Sequence, residues 1–98
     1  MMPSADDPPV RAHILVHGRV QGVGFRAFAS RVARGLELSG GVRNLDDGRV
    51  ELEVEGKQTV IEALIRELRS GPPASRVTKI DTEWSAATGR HLNFSIWY

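Results

Sequence analysis

The sequence has 98 residues, of which 41% are hydrophobic and 26% charged, and its formal net charge is +1. This length allows one domain with a single two-layer core. The absence of cysteine excludes a disulfide scaffold, a cysteine-ligated metal site and any thiol nucleophile. No apolar run approaches the roughly 18 residues that span a bilayer, and the N-terminus lacks the features of a secretory signal. We therefore expect a soluble cytoplasmic protein that has no membrane partner.

The first half of the chain predicts a strand, a glycine-rich turn and a helix. Residues 1–9 are rich in proline and aspartate and predict a flexible tail before a single domain over residues 10–98. Apolar and polar residues alternate over 10–20, which indicates a strand. Residues 18–24 form a turn punctuated by three glycines. An apolar stripe of helical spacing then follows, made of Phe25, Phe28, Ala29, Val32 and Leu36.

The second half predicts a hairpin, a second helix and two further strands. Residues 42–45 read as a short strand, Asp46-Asp47-Gly48 as a hairpin turn, and Val50, Leu52 and Val54 as the inward face of a third strand. Thr59 and Glu62 have the spacing of a capping box at the start of a helix that Gly71-Pro72-Pro73 ends. Residues 77–84 and 92–98 predict the last two strands, with Phe94 and Ile96 inward in the second of them.

This order of elements indicates an α+β fold of the ferredoxin-like type. A strand–helix–strand–strand–helix–strand order gives a mixed, mainly antiparallel sheet with two helices on one face, and the terminal strand is added to it. Fold alone does not define function, because this scaffold carries many unrelated activities.

Most catalytic arrangements are missing from the sequence. The histidines, His13, His17 and His91, lack the spacing of metal ligands, and no serine nucleophile elbow is present. Asp46-Asp47 is accounted for by the hairpin, and Glu51, Glu53 and Glu55 by the wet face of a strand. We therefore expect neither a metal nor a cofactor.

The turn between the first strand and the first helix is the remaining candidate. Its glycines allow backbone N–H groups to approach a ligand, and it opens onto a helix N-terminus, which favours anions. Arg26 lies in the first turn of that helix and its guanidinium suits a phosphate. The residues alone leave open a simple tight turn with a surface arginine.

Three motifs follow one another along the chain: Gly-Arg-Val-Gln-Gly-Val-Gly-Phe-Arg at 18–26, Gly-Val-Arg-Asn at 41–44 and Asp-Gly-Arg-Val-Glu at 47–51. With these motifs the sequence resembles the acylphosphatase family, and the resemblance extends from residue 11 to residue 98. It implies a ferredoxin-like fold and metal-independent hydrolysis of the carboxyl–phosphate bond of acyl phosphates, with inorganic phosphate or sulfate as a product-like ligand.

The resemblance also implies roles for particular residues. Arg26 corresponds to the family's phosphate-binding arginine and Asn44 to its water-positioning asparagine, the two catalytic residues. The phosphate cradle corresponds to the backbone of Gln21, Gly22, Val23, Gly24, Phe25 and Arg26. Three departures are visible: Gly41 replaces a bulky or aromatic residue, Trp97 stands where arginine is common, and the N-terminal tail is longer.

Three other functions are compatible with parts of this pattern. A non-catalytic anion-binding module would need the arginine but not Asn44. An RNA-recognition domain shares the topology, but it needs stacking aromatic rings on its two central strands, and these strands have none. The third alternative is one domain of a larger carbamoyl-phosphate-handling maturation enzyme, although the length of the chain favours a free-standing protein. We expect a monomer that binds a small-molecule acyl phosphate and no nucleic acid.

Overall fold

The computed structural model describes residues 7–98 and contains five strands and two helices in that range. The elements are β1 (Val10–Arg19), α1 (Phe25–Gly35), β2 (Ser39–Asn44), β3 (Val50–Gly56), α2 (Gln58–Ser70), β4 (Arg76–Ala86) and β5 (Phe94–Ile96). The strands form one sheet in the order β4-β1-β3-β2-β5. All pairings are antiparallel except that of β2 with β5, which is parallel. The predicted ferredoxin-like α+β class is confirmed.

Successive side chains of β1 and β3 alternate between a buried core face of the sheet, which the helices cover, and an open face. Ala12, Ile14 and Val16 of β1 are completely buried beneath the helices, and their neighbours in β3 are also buried. The α1 helix packs over β2 and β5, while α2 packs over β4 and β3. Because α1 follows β1 but covers β2 and β5, its N-terminus lies near the end of β2.

The second strand begins earlier than its sequence suggests. Gly40 and Gly41, which read as a loop, belong to β2, and Gly40 has φ of 131°. A Cβ atom on Gly40 would overlap the carbonyl oxygen of Glu53 on the neighbouring strand. Glycine is therefore required at position 40 because of the backbone conformation and the close approach of β3, and not because of a turn.

The predicted capping box at the start of α2 is wrong. The helix begins at Gln58, with Lys57 as its N-cap residue, and no side chain caps it. The backbone N–H groups of Val60 and Ile61 both donate to the Lys57 carbonyl, so the helix begins two residues earlier than a cap at Thr59 would place it. Glu62 instead accepts a hydrogen bond from the Gln58 side chain at 3.2 Å. The predicted stop after α2 is confirmed, since Gly71 follows its last residue with φ of 62°.

The boundaries near the chain ends also differ from the predictions. The last strand covers 94–96 and not 92–98, and Leu92 is almost fully exposed. Strand β4 is longer than predicted because it pairs with β1 at both ends: Arg76 pairs with Arg19, and Ser85 and Ala86 pair with Arg11 and Val10. The predicted flexible tail covers residues 1–9, of which residues 1–6 lie outside the described residues. The single domain over 10–98 stays a prediction.

On the open face of the sheet, all three histidines lie close to carboxylates. His13 lies 2.8 Å from Glu51, His17 lies 2.9 Å from Asp81, and His91 lies 3.6 Å from Glu53. No group of three or more potential metal ligands occurs within residues 7–98. Neither of the two described helices is long and apolar enough for a membrane span.

A buried carboxylate, Glu55, holds the loop after β4 against the sheet. Its side chain accepts hydrogen bonds from the backbone and hydroxyl of Thr88, at 2.9 and 2.6 Å, and from the backbone of Gly89, at 2.9 Å. Burial by itself would raise the pKa of Glu55, but these hydrogen bonds outweigh it and hold the pKa below its usual value. The ionised form is therefore the one that stabilises the fold.

We predict that Glu55→Gln lowers the free energy of unfolding by about 1–2 kcal/mol at neutral pH. Because the pKa of Glu55 is lowered in the folded state, its stabilisation is complete above the unfolded pKa and is lost as the pH falls through the folded one. Urea unfolding of both proteins should therefore give a difference that shrinks on acidification. The exposed Glu67→Gln variant is the control, and a difference independent of pH would contradict the prediction.

Candidate active site

The loop between β1 and α1 is shaped by two glycines in the left-handed region. Gly22 has φ of 74° and Gly24 has φ of 79°, and no atom lies close enough to either residue to exclude a side chain. Their backbone conformation is therefore the reason for glycine at both positions. Gly24 is the N-cap residue of α1, and no side chain caps this helix. The N–H groups of the first turn therefore remain available to an anion.

Gln21 fastens this loop to the β2–β3 hairpin. Its side-chain amide donates to the carbonyl oxygens of Leu45, at 2.7 Å, and Arg49, at 2.9 Å. These two residues are themselves joined by a backbone hydrogen bond that closes the predicted hairpin turn. The side chain of Gln21 is thus committed to bracing two segments, which leaves only its backbone for the predicted phosphate cradle.

Arg26 lies one residue inside α1, and its guanidinium is placed over the ring of Tyr98. The guanidinium carbon is 5.2 Å from the ring centroid, within the range of a cation–π contact. Within residues 7–98, no carboxylate forms an ion pair with Arg26. Its neighbour Phe25 is buried in the core and fixes the start of the helix. The charge of Arg26 is therefore held in place without being neutralised by the chain.

Asn44 is the last residue of β2 and lies on the same face of the sheet as α1. Its Cα partner across the β2–β3 ladder is Val50, which is fully buried on that face. The side-chain oxygen of Asn44 is buried and accepts no hydrogen bond from residues 7–98. Buried polar atoms are almost always paired, so this oxygen calls for a donor from water or a ligand.

A pocket of about 230 Å³ joins these parts of the chain. It brings together Gly22, Gly24, Phe25, Arg26 and Asn44 of the predicted site, whereas Gln21 and Val23 do not line it. No aspartate, glutamate or histidine side chain is among the lining residues that the structure describes. The pocket is smaller than a typical ligand cavity of about 300–1,000 Å³, which suits a phosphate-sized group and a water molecule.

Sequence reasoning missed the wall of the pocket contributed by the C-terminal segment. Ile96 and Tyr98 line the pocket beside Arg26. The backbone pairing of β5 with β2 places Ile96 opposite Val42, two residues from Asn44. The apolar alternation of the last strand predicted inward side chains, but only the parallel pairing with β2 shows that they reach this pocket.

Most of the chain matches known acylphosphatases. The family model described as Acylphosphatase matches residues 12–96. The acylphosphatase of Methylococcus capsulatus is 51% identical over 86 residues, which cover 88% of this chain and 94% of that protein. The crystal structure of acylphosphatase from Bacillus subtilis superposes with a TM-score of 0.88 and 42% identity, covering 91% of this chain and 99% of that one.

A larger protein contains a similar domain. The crystal structure of HypF from Thermococcus kodakarensis superposes with a TM-score of 0.78 and 39% identity over 89% of this chain, but the match covers only 12% of that protein. The chain thus resembles nearly all of the small acylphosphatases and a small part of HypF.

We predict that Gln21→Ala loosens the loop that carries the glycines. The change removes both side-chain hydrogen bonds that join the two segments, while each carbonyl oxygen keeps a backbone donor. The loss of two hydrogen bonds should lower the free energy of unfolding by about 1–3 kcal/mol. Hydrogen exchange should show faster exchange of the backbone amides over 21–26 and 45–49 than in the unchanged protein. The exposed Gln58→Ala variant is the control. Unchanged exchange in both segments would contradict the bracing role.

Proposed function

The chain belongs to the acylphosphatase family, whose members hydrolyse the carboxyl–phosphate bond of acyl phosphates, and we propose that Arg26 and Asn44 carry this reaction here. The observation that supports the assignment best is that one pocket contains both a cation unpaired by carboxylates and a buried amide oxygen that lacks a donor. The first feature suits the phosphate, and the second suits the water that attacks it.

The phosphate is bound by one guanidinium and by backbone amides. Arg26 presents two parallel N–H donors to the phosphate oxygens, and the first turn of α1 with the loop before it supplies N–H groups. Of the cradle predicted over residues 21–26, Gly22, Gly24 and Phe25 line the pocket and contribute through their backbone, whereas Gln21 and Val23 do not line it. Phosphoryl transfer places negative charge on the equatorial oxygens, so these fixed donors stabilise the transition state.

Asn44 positions the attacking water. A carboxamide has both an acceptor and donors, so it can accept a hydrogen bond from the water and fix the orientation of that water. Because the carboxamide is neutral, it adds no charge to the pocket. The orphaned oxygen of Asn44 is the acceptor for that bond. The water is thereby aligned opposite the leaving group, and alignment alone removes a large part of the entropic barrier.

The leaving group explains why the pocket needs no general acid. The water oxygen forms a bond to phosphorus while the bond between phosphorus and the acyl oxygen breaks, and that electron pair leaves with the carboxylate. A carboxylic acid has a pKa of about 4–5, so the leaving group departs unprotonated. The proton of the water passes to a phosphate oxygen, which gives a carboxylate and inorganic phosphate. No side chain has to gain or lose a proton.

We also propose that the protein acts as a monomer on a small-molecule acyl phosphate, without a metal or cofactor. Exposed large apolar side chains within residues 7–98 are few, namely Trp84, Leu92 and Tyr98, which supports a monomer. The small pocket supports a small-molecule substrate. Inorganic phosphate or sulfate should compete for it. The cytoplasmic location stays a prediction from the sequence.

We predict that Arg26→Ala lowers kcat/KM for acetyl phosphate by roughly 10³-fold and abolishes inhibition by inorganic phosphate. Arg26→Lys should recover only a small part of the activity, because an ammonium lacks the planar pair of donors. Arg31→Ala, which removes an exposed arginine from the same helix, is the matched control. Assays in a metal chelator should give the same values. Near-normal turnover by Arg26→Ala would disprove the assignment.

Asn44→Ala should lower kcat by roughly 10²-fold with little change in KM, since water alignment matters in the transition state. Asn93→Ala, a change at the other asparagine, should leave kcat unaltered. A change confined to KM would instead make Asn44 a substrate-binding residue. Retained phosphate binding without any turnover in the unchanged protein would favour a non-catalytic anion-binding module.

A further inference from the structure

The indole of Trp97 lies directly on the backbone of Gly41. A Cβ atom on Gly41 would overlap three atoms of the ring, Cε2, Cζ2 and Cδ2. The φ of Gly41 is not in the left-handed region, so the backbone conformation does not demand glycine at this position. Glycine is required here because the indole occupies the space of a side chain. The two departures from the family pattern therefore complement each other, because the indole of Trp97 fills the space that the missing side chain of Gly41 leaves.

The position of Trp97 is fixed from several directions. Its backbone N–H donates to the carbonyl of Val42 at 2.7 Å, which continues the pairing of β5 with β2 by one residue. Its ring also packs against His91, with a distance of 5.6 Å between ring centroids. Gly41 pairs across β2–β3 with Glu53, whose side chain belongs to the open face. Trp97 thus anchors the C-terminal segment on the open face.

The two residues that flank Trp97 lie on the opposite side and form a wall of the pocket. Ile96 and Tyr98 both line it, and the ring of Tyr98 lies under the guanidinium of Arg26. Successive residues of an extended chain point to opposite faces, so anchoring one residue fixes the direction of both neighbours. On the other side of the contact, Gly41 lies three residues before Asn44 in the same strand.

We propose that Trp97, seated on Gly41, is a positioning residue that holds Tyr98 against Arg26 and thereby fixes the guanidinium in the phosphate pocket. The proposal rests on the assignment of Arg26 to phosphate binding. Trp97 touches neither phosphate nor water, and it acts only through the pocket wall. A loosened wall leaves the guanidinium in the site and removes only its fixed position, so the binding of the ground-state phosphate is weakened first. We therefore expect the larger effect on KM and on phosphate inhibition, and the smaller effect on kcat.

The kinetic test uses Trp97→Ala, Gly41→Ala and the double variant. Either single change should raise KM for acetyl phosphate and the inhibition constant of inorganic phosphate about five- to tenfold, with kcat changed less than twofold. The double variant should behave like either single one, because both remove the same contact. Trp97→Phe should restore most of the phosphate affinity, and Tyr98→Ala should reproduce the loss.

Fluorescence reports the contact itself, because Trp84 and Trp97 are the only tryptophans. Trp84 lies on β4, at the edge of the sheet opposite to β5. The Trp84→Phe variant therefore serves as the control for the kinetics and as the parent protein for the fluorescence measurements. In that background, Gly41→Ala should shift the emission of Trp97 to longer wavelength and increase its quenching by acrylamide. These readouts do not depend on Trp97→Ala, so they remain decisive if that variant does not fold.

Two outcomes would overturn the proposal. One is a lower melting temperature of Trp97→Ala or Gly41→Ala with KM and phosphate inhibition unchanged, which would make the contact purely structural. The other is additive effects of Trp97→Ala and Gly41→Ala in the double variant, which would show that the two residues act independently. Failure of the proposed function has a different signature: the unchanged protein would then show no phosphate inhibition, or Arg26→Ala would retain it.

Discussion

The site depends on the cross-connection between the β1–α1 loop and the β2–β3 hairpin. One side chain, Gln21, spans the two segments by donating to Leu45 and Arg49. That connection fixes the helix start that carries Arg26 relative to the strand end that carries Asn44. The fold makes such a link possible because α1 leaves β1 and packs over β2 and β5. Sheet topology brings the two ends together, and the glutamine sets their relative position.

The electrostatics of the two sides of the sheet differ in a way that serves the reaction. On the open face, arginines and histidines pair with carboxylates, as in the 2.7 Å contact of Arg11 with Glu53 and the 2.6 Å contact of Arg43 with Glu51. At the pocket, the cation of Arg26 rests on an aromatic ring. A ring face holds a guanidinium without neutralising it, whereas a carboxylate would compete with the phosphate for the same donors.

The sequence predicted those features that local periodicity governs and missed those that tertiary packing decides. Alternation in β1 and β3, the stripe of α1 and the stop at Gly71 were read correctly, because each follows from a repeat or a backbone preference. The start of β2 was missed because Gly40 is excluded from bearing a side chain by a neighbouring strand, which no local pattern reveals. The capping box failed because Lys57 closes the first turn through its backbone, without help from any side chain.

The same distinction applies to the site residues. The spacing of the glycines and Arg26 predicted an anion-binding turn, and the family resemblance added Asn44 to the predicted site. Neither indicated the pocket wall formed by Ile96 and Tyr98. Gly41 and Trp97, 56 positions apart by their residue numbers, read as two unrelated departures. In the folded chain the indole of Trp97 occupies the space that a side chain at position 41 would need. The parallel pairing of β5 with β2 brings the two residues together. A substitution at either position is therefore interpretable only with its partner, and the residue that fits at 41 depends on what position 97 places over it.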